Sequence, residues 1–304
     1  QRIINDIQIK RALKVVVDCG NGVAGAVIPQ VISKLGCQVI PLYCDVDGHF
    51  PNHHPDPSIE ANLIDLRSTV VAHQADLGLA FDGDADRLGL VTNTGEIIWP
   101  DRLMMLYAHE VLSRNPGATI VYDVKCSRNL ETEIRAAGGV AKMCPTGHSI
   151  VKGVMNKEQA ALAGEMSGHL FFNDRWYGFD DALYSACRLL EIVSASKLTV
   201  SEQFQLIPNS VNTPELKIHI ADSEKFLLMQ RFHQSAVFPP SARIIDIDGV
   251  RVEFPYGWGL LRASNTTPCL VARFEAEDQL HLEEIQRMFK EQLLALDKKL
   301  EVPF

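Results

Sequence analysis

The sequence predicts an α/β protein: two successive α/β domains with mainly parallel sheets, followed by a C-terminal α+β domain with an antiparallel sheet. Three observations predict it. Residues 14–92 alternate short apolar, β-branched runs with runs of helical period, and a second alternation of the same kind starts near Pro100. After about Pro208 the pattern changes to strand-like runs around an Asp248-Gly249 turn and a long amphipathic terminal helix. A chain of 304 residues is long enough for two or three cores. The changes in pattern place domains at 1–97, 98–208 and 209–304.

Taken in order, Lys14 to Cys19 (KVVVDC) is a strand ending in glycines, and Ala24 to Leu35 a helix with Pro29 introducing an irregularity. Gln38 to Cys44 is a second strand, and a loop rich in Pro and His follows from Gly48 to Pro57. Ile59 to Gln74 reads as a helix, and Ala75 to Phe81 and Leu88 to Thr92 as strands. In the second unit, Asp101 to Ser113 is helical through Leu103, Leu106, Tyr107 and Val111. Thr119 to Val124 is a strand, and Ser127 to Ala137 a helix closed by Gly138 and Gly139. Gln159 to Gly164 leads into a glycine-bearing turn, and Asp180 to Val193 is a helix. In the last unit, Glu215 to Ile220 is a strand, and Asp222 to His233 a helix with Asp222 or Ser223 as N-cap. Cys269 to Glu275 is a strand and Glu277 to Lys299 the terminal helix.

A net charge of −9 argues against nucleic acid as a partner, because phosphate backbones select basic surfaces. It leaves room for a small phosphorylated ligand held by a local basic cluster. The seven cysteines are scattered and form no C-x-x-C pair, which excludes the usual zinc spacings and a disulfide framework and points to a reducing cytoplasm. No stretch approaches the roughly 20 apolar residues that span a bilayer. No signal peptide is evident, and the first residue is Gln, which points to a longer natural chain.

Four loops carry candidate chemistry. Asp82-Gly83-Asp84-Ala85-Asp86-Arg87 follows an apolar strand, and its alternate carboxylates fall on one side of an extended chain. Their repulsion is relieved by a cation, and oxygen-only ligands suit Mg²⁺ or Ca²⁺. An EF-hand fits poorly, since Arg87 and Asn93 stand where Gly and Glu are needed. The alternative is an acidic surface turn. Gly20-Asn21-Gly22-Val23-Ala24-Gly25 is a literal G-x-G-x-x-G, with Asp45 at the end of the next strand, and so reads either as a dinucleotide (NAD) site or as plain strand-to-helix packing.

Gly164-Glu165-Met166-Ser167-Gly168-His169 sets a carboxylate beside a hydroxyl, suited to vicinal sugar hydroxyls, with an imidazole for proton transfer. An ordinary loop with a surface histidine is the alternative. Lys125 ends a strand, and Thr146-Gly147-His148 forms a turn after another. Groups at the ends of successive strands are what an open-sheet site requires. Arg262-Ala263-Ser264-Asn265-Thr266-Thr267-Pro268 concentrates a guanidinium, hydroxyls, an amide and backbone N–H groups, suited to a phosphate, or is a polar hairpin loop.

Together these loops resemble the α-D-phosphohexomutase superfamily, specifically bacterial phosphomannomutase/phosphoglucomutase. The matching stretches are VVVDCGNGVAG, PNHHPDP, LAFDGDADR, DVKCSRNL, PTGHSIVK, LAGEMSGH and LLRASNTTP, in the family's order and over nearly the whole chain. The resemblance implies that the chain is the second, third and fourth of four domains, bearing the metal, sugar and phosphate loops respectively, and that the glycine turn is structural. It implies Asp82, Asp84 and Asp86 as Mg²⁺ ligands with Arg87 beside them. Glu165 and Ser167 would hold sugar hydroxyls, with Met166, Gly168 and His169 completing that loop and His169 transferring protons. Lys125, Gly147 and His148 would line the cleft. Arg262, Ala263, Ser264, Asn265 and Thr266 would bind the phosphate that is not reacting.

The expected activity is interconversion of hexose 1-phosphates and 6-phosphates of mannose or glucose, through a phosphoserine and a 1,6-bisphosphate. The expected partners are those sugar phosphates, with no nucleic acid and no membrane. Two departures stand out. Ala85 lies where family members often have Gly, with little consequence expected. The family's Thr-Ala-Ser-His-Asn-Pro-like phosphoserine loop does not occur in these 304 residues, so the polypeptide is expected to bind sugar phosphate and turn over none. A non-catalytic sugar-phosphate-binding protein and an NAD enzyme are the alternatives.

Overall fold

The computed structural model describes all residues from Gln1 to Phe304. The chain divides into two units: Gln1–Met143 with Gly147–Pro208, and Cys144–Thr146 with Asn209–Phe304. No helix is long and apolar enough to cross a membrane, and all seven cysteines are free.

In the first unit a short helix α1 (Arg2–Asp6) precedes a five-stranded sheet. Its strands are β1 (Lys14–Asp18), β2 (Gln38–Leu42), β3 (Leu77–Phe81), β4 (Leu88–Thr92) and β5 (Ile97–Ile98), in the order β2-β1-β3-β4-β5. The β2-β1-β3 pairings are parallel; β3-β4 and β4-β5 are antiparallel. The period-2 pattern explains why β1 is a near-continuous apolar run. Val15 and Val17 enter the main core, while Val16 points to the other face with Leu63, Leu66 and Val70. That second face is closed by α3 (Ile64–Ala72), which lies so near that a Cβ on Gly78 would stand 2.6 Å from Val70 Cγ2.

The expected first two helices are each split into a 3₁₀ turn and an α-helix. Val23–Ala26 is a 3₁₀ turn, and α2 (Ile28–Lys34) starts afresh with Pro29 in its first turn, where a missing N–H costs nothing. Glu60–Leu63 likewise precedes α3.

The second sheet comprises β6 (Thr119–Asp123), β7 (Val140–Cys144), β8 (Leu162–Gly164) and β9 (Leu170–Phe172), in the order β7-β6-β8-β9. The β6-β8 pairing is parallel and β8-β9 antiparallel. Helices α4 (Pro100–Arg114) and α7 (Ala182–Ala195) each contact β4 of the first sheet and a strand of the second. One hydrophobic core therefore runs from Ile7 to Ile207 through both sheets. Between these elements lie α5 (Arg128–Ala136), capped by the Ser127 side chain, α6 (His148–Glu158) and, at the end, α8 (Val200–Gln205) with a Thr199–Glu202 capping box. Strands β5 and β9 and helices α1, α6 and α8 are additions to the sequence expectation.

The second unit is an antiparallel sheet of β10 (Val211–Asn212), β11 (Leu216–His219), β12 (Arg243–Ile245), β13 (Val250–Phe254), β14 (Gly257–Ala263) and β15 (Cys269–Ala276). Both β10 and β11 pair with β15. Helices α9 (Asp222–Ser235) and α10 (Gln279–Leu296) cover one face. Leu270, Ala272, Phe274 and Ala276 alternate along β15 into that core. The N-cap of α9 is Ala221, not Asp222 or Ser223. Asp222 sits inside the helix, where its carboxylate pairs with Lys225 Nζ at 2.6 Å.

Candidate active site

The buried strand β3 delivers the aspartate loop. Asp82, its first residue, is 1% exposed, and its carboxylate organises the loop. One oxygen accepts the backbone N–H of Asp86 and of Arg87, each at 3.0 Å, and the other accepts Arg87 Nε at 2.6 Å. Asp82, Asp84 and Asp86 each bring a carboxylate oxygen within 4.8 Å of the others. Of the three, only Asp84 is exposed. Three hard oxygen donors with no nitrogen or sulfur among them fit Mg²⁺. Ala85 holds φ +67°, the left-handed region that a Cβ disfavours and Gly adopts freely.

Arg87 reaches Asp56 Oδ1 at 3.2 Å through Nη1. Asp56 lies in the PNHHPDP loop, for which the sequence supplied a resemblance but no role. At Arg87 the chain also meets the sugar-type loop directly: Arg87 and His169 form a β-bridge, and Leu88 N–H donates to Gly168 O at 3.2 Å. Gly168 allows this approach, since a Cβ there would stand 3.1 Å from Leu88 O and the residue holds φ +102°.

Strand β8 ends at Gly164, and the next residue, Glu165, is 2% exposed. Its Oε1 accepts Gly147 N–H at 2.7 Å, and Oε2 lies 3.2 Å from His169 Nδ1. Ser167 Oγ is 2.9 Å from the same Nδ1, and His169 Nε2 is 3.2 Å from Asp86 Oδ1. Burial pushes the His169 imidazole down, but hydrogen bonds and charge from Asp86 and Glu165 overcome it and lift the pKa to about 9. The reciprocal hydrogen bond holds Asp86 below the ordinary carboxylate range.

His148, first residue of α6, places its ring 5.4 Å from that of His169 and is paired through Nδ1 with Asp180 Oδ2 at 3.0 Å. Lys125, just past β6, is 6% exposed, with Nζ 3.8 Å from Asp123 Oδ2. Asp123 is fully buried and accepts the backbone N–H of Met166 at 3.1 Å. Burial raises its pKa; Lys125 opposes that and Glu165 adds to it. Asp56, Asp123 and Asp180 are site residues that sequence reasoning missed. The signals were a carboxylate two residues before Lys125, and one beside Asp181, which caps α7.

The glycine turn does not present a dinucleotide cradle. Gly20 N–H donates to Asp18, Asn21 N–H to Tyr43 O, Gly22 N–H to Cys19 O and Val23 N–H to Gly83 O. A Cβ on Gly25 would stand 1.9 Å from Cys44 O. The glycines admit the protein's own backbone, including that of the aspartate loop, and a 3₁₀ turn replaces the long helix whose N-terminus would hold a pyrophosphate.

The Arg262 loop joins β14 to β15 in the second unit. Arg262 is 4% exposed and donates through Nε to Asp248 at 3.0 Å, while its buried Nη2 has no hydrogen-bond partner. An orphaned guanidinium nitrogen fits an anion site. Two of the backbone N–H groups suited to a phosphate are already engaged: those of Thr266 and Thr267 donate to Ser264 Oγ. Ser264 thus shapes the loop, and Asn265 and Thr266 are exposed, with Ala263 ending β14.

Comparison with known proteins identifies the type of scaffold. Residues 2–95, 99–210 and 215–292 match phosphoglucomutase/phosphomannomutase alpha/beta/alpha domain II, alpha/beta/alpha domain III and the C-terminal domain. Phosphomannomutase/phosphoglucomutase from Pseudomonas aeruginosa is 55% identical over 304 residues, covering 100% of this chain and 65% of that protein. A phosphoglucomutase of Neisseria meningitidis is 53% identical over 289 residues, covering 95% of this chain and 63% of that one. The chain thus spans under two thirds of the length of these relatives. A crystal structure of a phosphoglucomutase/phosphomannomutase family protein from Burkholderia thailandensis superposes with a TM-score of 0.94 at 50% identity, over 100% of this chain and 65% of that one. Three consecutive domain matches, in order and on this fold, establish that the chain belongs to the phosphoglucomutase/phosphomannomutase family.

Proposed function

We propose that the chain forms the metal-, sugar- and phosphate-binding part of a phosphomannomutase/phosphoglucomutase. That enzyme interconverts hexose 1-phosphate and hexose 6-phosphate, of mannose or glucose, through a phosphoserine and a hexose 1,6-bisphosphate in a reducing cytoplasm. The observation that carries the reading is the backbone bridge between Arg87 and His169, which sets the carboxylate triad against the Glu165–Ser167–His169 loop. An acidic surface turn has no reason to be fastened to a buried glutamate and a histidine.

When bound by Asp82, Asp84 and Asp86, Mg²⁺ supplies neutralisation of charge on the transferring phosphoryl group. The remaining work falls to side chains. Arg87, held through Nε by Asp82 and through Nη1 by Asp56, keeps 26% of its side chain exposed for a phosphoryl oxygen. Ser167 and Glu165 hold sugar hydroxyls, and Glu165 also fixes the His169 ring and Gly147. Asp86 and Glu165 lift the His169 pKa to about 9 in the metal-free chain, and the ring they hold is placed as a proton donor at the sugar oxygen from which a phosphoryl group departs. Lys125, Gly147 and His148 line the sugar side. The Arg262 loop holds the distal phosphate, with the buried Nη2 finding its partner there.

Isothermal titration of the 304-residue chain with glucose 1,6-bisphosphate, with and without Mg²⁺, tests this. Binding that is weakened by Arg262→Ala and by Glu165→Gln, with no mutase turnover by this polypeptide, is expected. Robust turnover of glucose 1-phosphate by these residues alone, or no binding at all, refutes it. A reading frame that continues upstream into a serine loop supports the mutase over a non-catalytic binding protein.

A further inference from the structure

We propose that Asp86, His148, His169 and Asp180 form a second cation site, which takes a transition-metal dication of the Zn²⁺ type. Each of the four contributes a ligand atom, His169 after releasing its proton to solvent as the ion binds, and all four atoms lie within 4.8 Å of one another. The donor set is two imidazoles and two carboxylates. It differs in kind from the all-oxygen triad, because imidazole nitrogen selects Zn²⁺ and its neighbours over Mg²⁺.

The spacing is already close to what such an ion needs. With metal–ligand bonds of about 2.05 Å, a tetrahedral site has ligand–ligand edges of roughly 3.3 Å. Two of the six edges stand near that length without an ion, His148 Nδ1 to Asp180 Oδ2 at 3.0 Å and His169 Nε2 to Asp86 Oδ1 at 3.2 Å, and the rest lie within 4.8 Å. The surroundings supply an independent argument. A metal-bound histidine characteristically turns its other ring nitrogen to a carboxylate, which fixes the tautomer and raises its basicity. His169 does this with Glu165, whose Oε2 lies 3.2 Å from Nδ1 and which is itself buried and held by Gly147 N–H. Three ligands are anchored by backbone: Asp86 and His169 flank or form the Arg87–His169 bridge, and Asp180 is bridged to Phe171 beside β9. The fourth, His148, has 58% of its side chain exposed and leaves an entry path.

Asp86 belongs to both donor sets. An ion held by the histidines therefore withdraws a carboxylate from the triad, and Zn²⁺ and Mg²⁺ bind antagonistically. That antagonism rests on the Mg²⁺ reading above; the site itself does not.

The test uses Co²⁺ as a coloured probe on the metal-free 304-residue chain. Four-coordinate Co²⁺ absorbs intensely in the visible, six-coordinate Co²⁺ faintly. Intense bands saturating at one Co²⁺ per chain, bleached by Zn²⁺, are expected. His148→Ala and Asp180→Asn should each weaken binding by about tenfold or more, and Asp84→Asn should leave the bands in place. Since His148 is exposed, its variant is expected to keep the native far-UV circular dichroism, which is measured alongside. Faint bands only, or intense bands that survive His148→Ala and vanish with Asp84→Asn, overturn the proposal: the cluster is then two separate His–Asp ion pairs and the ion sits in the triad.

Discussion

Replacing Asp86 with Asn removes one of the two carboxylates that hold the His169 proton, and its effect can be worked through. In the metal-free chain the His169 pKa rises from 6.5 to about 9, against the pull of burial, with Asp86 and then Glu165 as the causes. The side chain is only 17% exposed, so solvent screening is modest. A rise of that size corresponds to about 3 kcal/mol favouring the imidazolium in the folded state. The sign follows from a folded-state pKa above the unfolded one. The stabilisation is fully present below pH 6.5 and is lost as pH rises through about 9. Asp86→Asn should lower the His169 midpoint by about one unit or more, a tenfold loss of proton affinity. It should also flatten the decline in unfolding free energy across that window. Ring ¹H–¹⁵N correlation spectra recorded against pH in chelator read the midpoint directly. Adding Mg²⁺ to the wild-type chain should lower the midpoint as well, because a cation beside Asp86 opposes a second positive charge. A wild-type midpoint at or below 6.5, or one indifferent to Asp86→Asn, refutes the reasoning and removes the case for His169 as a proton donor.

Four further predictions concern stability. Ala85→Gly relieves a left-handed alanine at φ +67° and should stabilise the first unit by about 1 kcal/mol, seen as a higher thermal midpoint with Mg²⁺ absent. Gly25→Ala drives a Cβ to 1.9 Å from Cys44 O and should cost at least about 3 kcal/mol in chemical denaturation. Arg188 is fully buried against Asp174 and Glu110 and stacks on Phe172 at 4.5 Å. Arg188→Ala strands the buried Asp174, while Glu110 keeps Arg114, and should destabilise the first unit by about 3–5 kcal/mol, checked by urea unfolding. Asp248→Ala leaves the Arg262 guanidinium buried without its ion partner and should lower the melting temperature of the second unit, while Asp248→Asn loses less.

Strands β1, β3 and β15 were legible as short apolar runs, β-branched in β1, continuous in β3 and alternating in β15. Helix α6 was not, because its start, Gly147-His148, carries no conventional cap and Gly153 interrupts its middle. The breaks at Ala26 and Leu63 were equally hidden, since helical period alone does not separate a 3₁₀ turn from the α-helix that follows it. In the site, the aspartate loop announced itself by like charges at alternate positions. The partners of those residues did not. Asp180 on His148 and Asp56 on Arg87 are ordinary loop carboxylates until the fold brings them across. The glycine turn illustrates the converse: its pattern was plain, but only the positions of Gly83 and Cys44 show that it makes room for the protein's own chain.

The pairing of Leu88 N–H with Gly168 O has a consequence for how this protein can change. Side chains in either loop contribute nothing to that bond and can be exchanged one at a time, except at Gly168, where a Cβ would stand 3.1 Å from Leu88 O. Length is another matter. One residue gained or lost between Asp82 and Arg87 would change which residue meets His169 and Gly168, carrying Asp86 away from His169. The two loops are thus geared together like meshed teeth, free to be recoated but not to be recut.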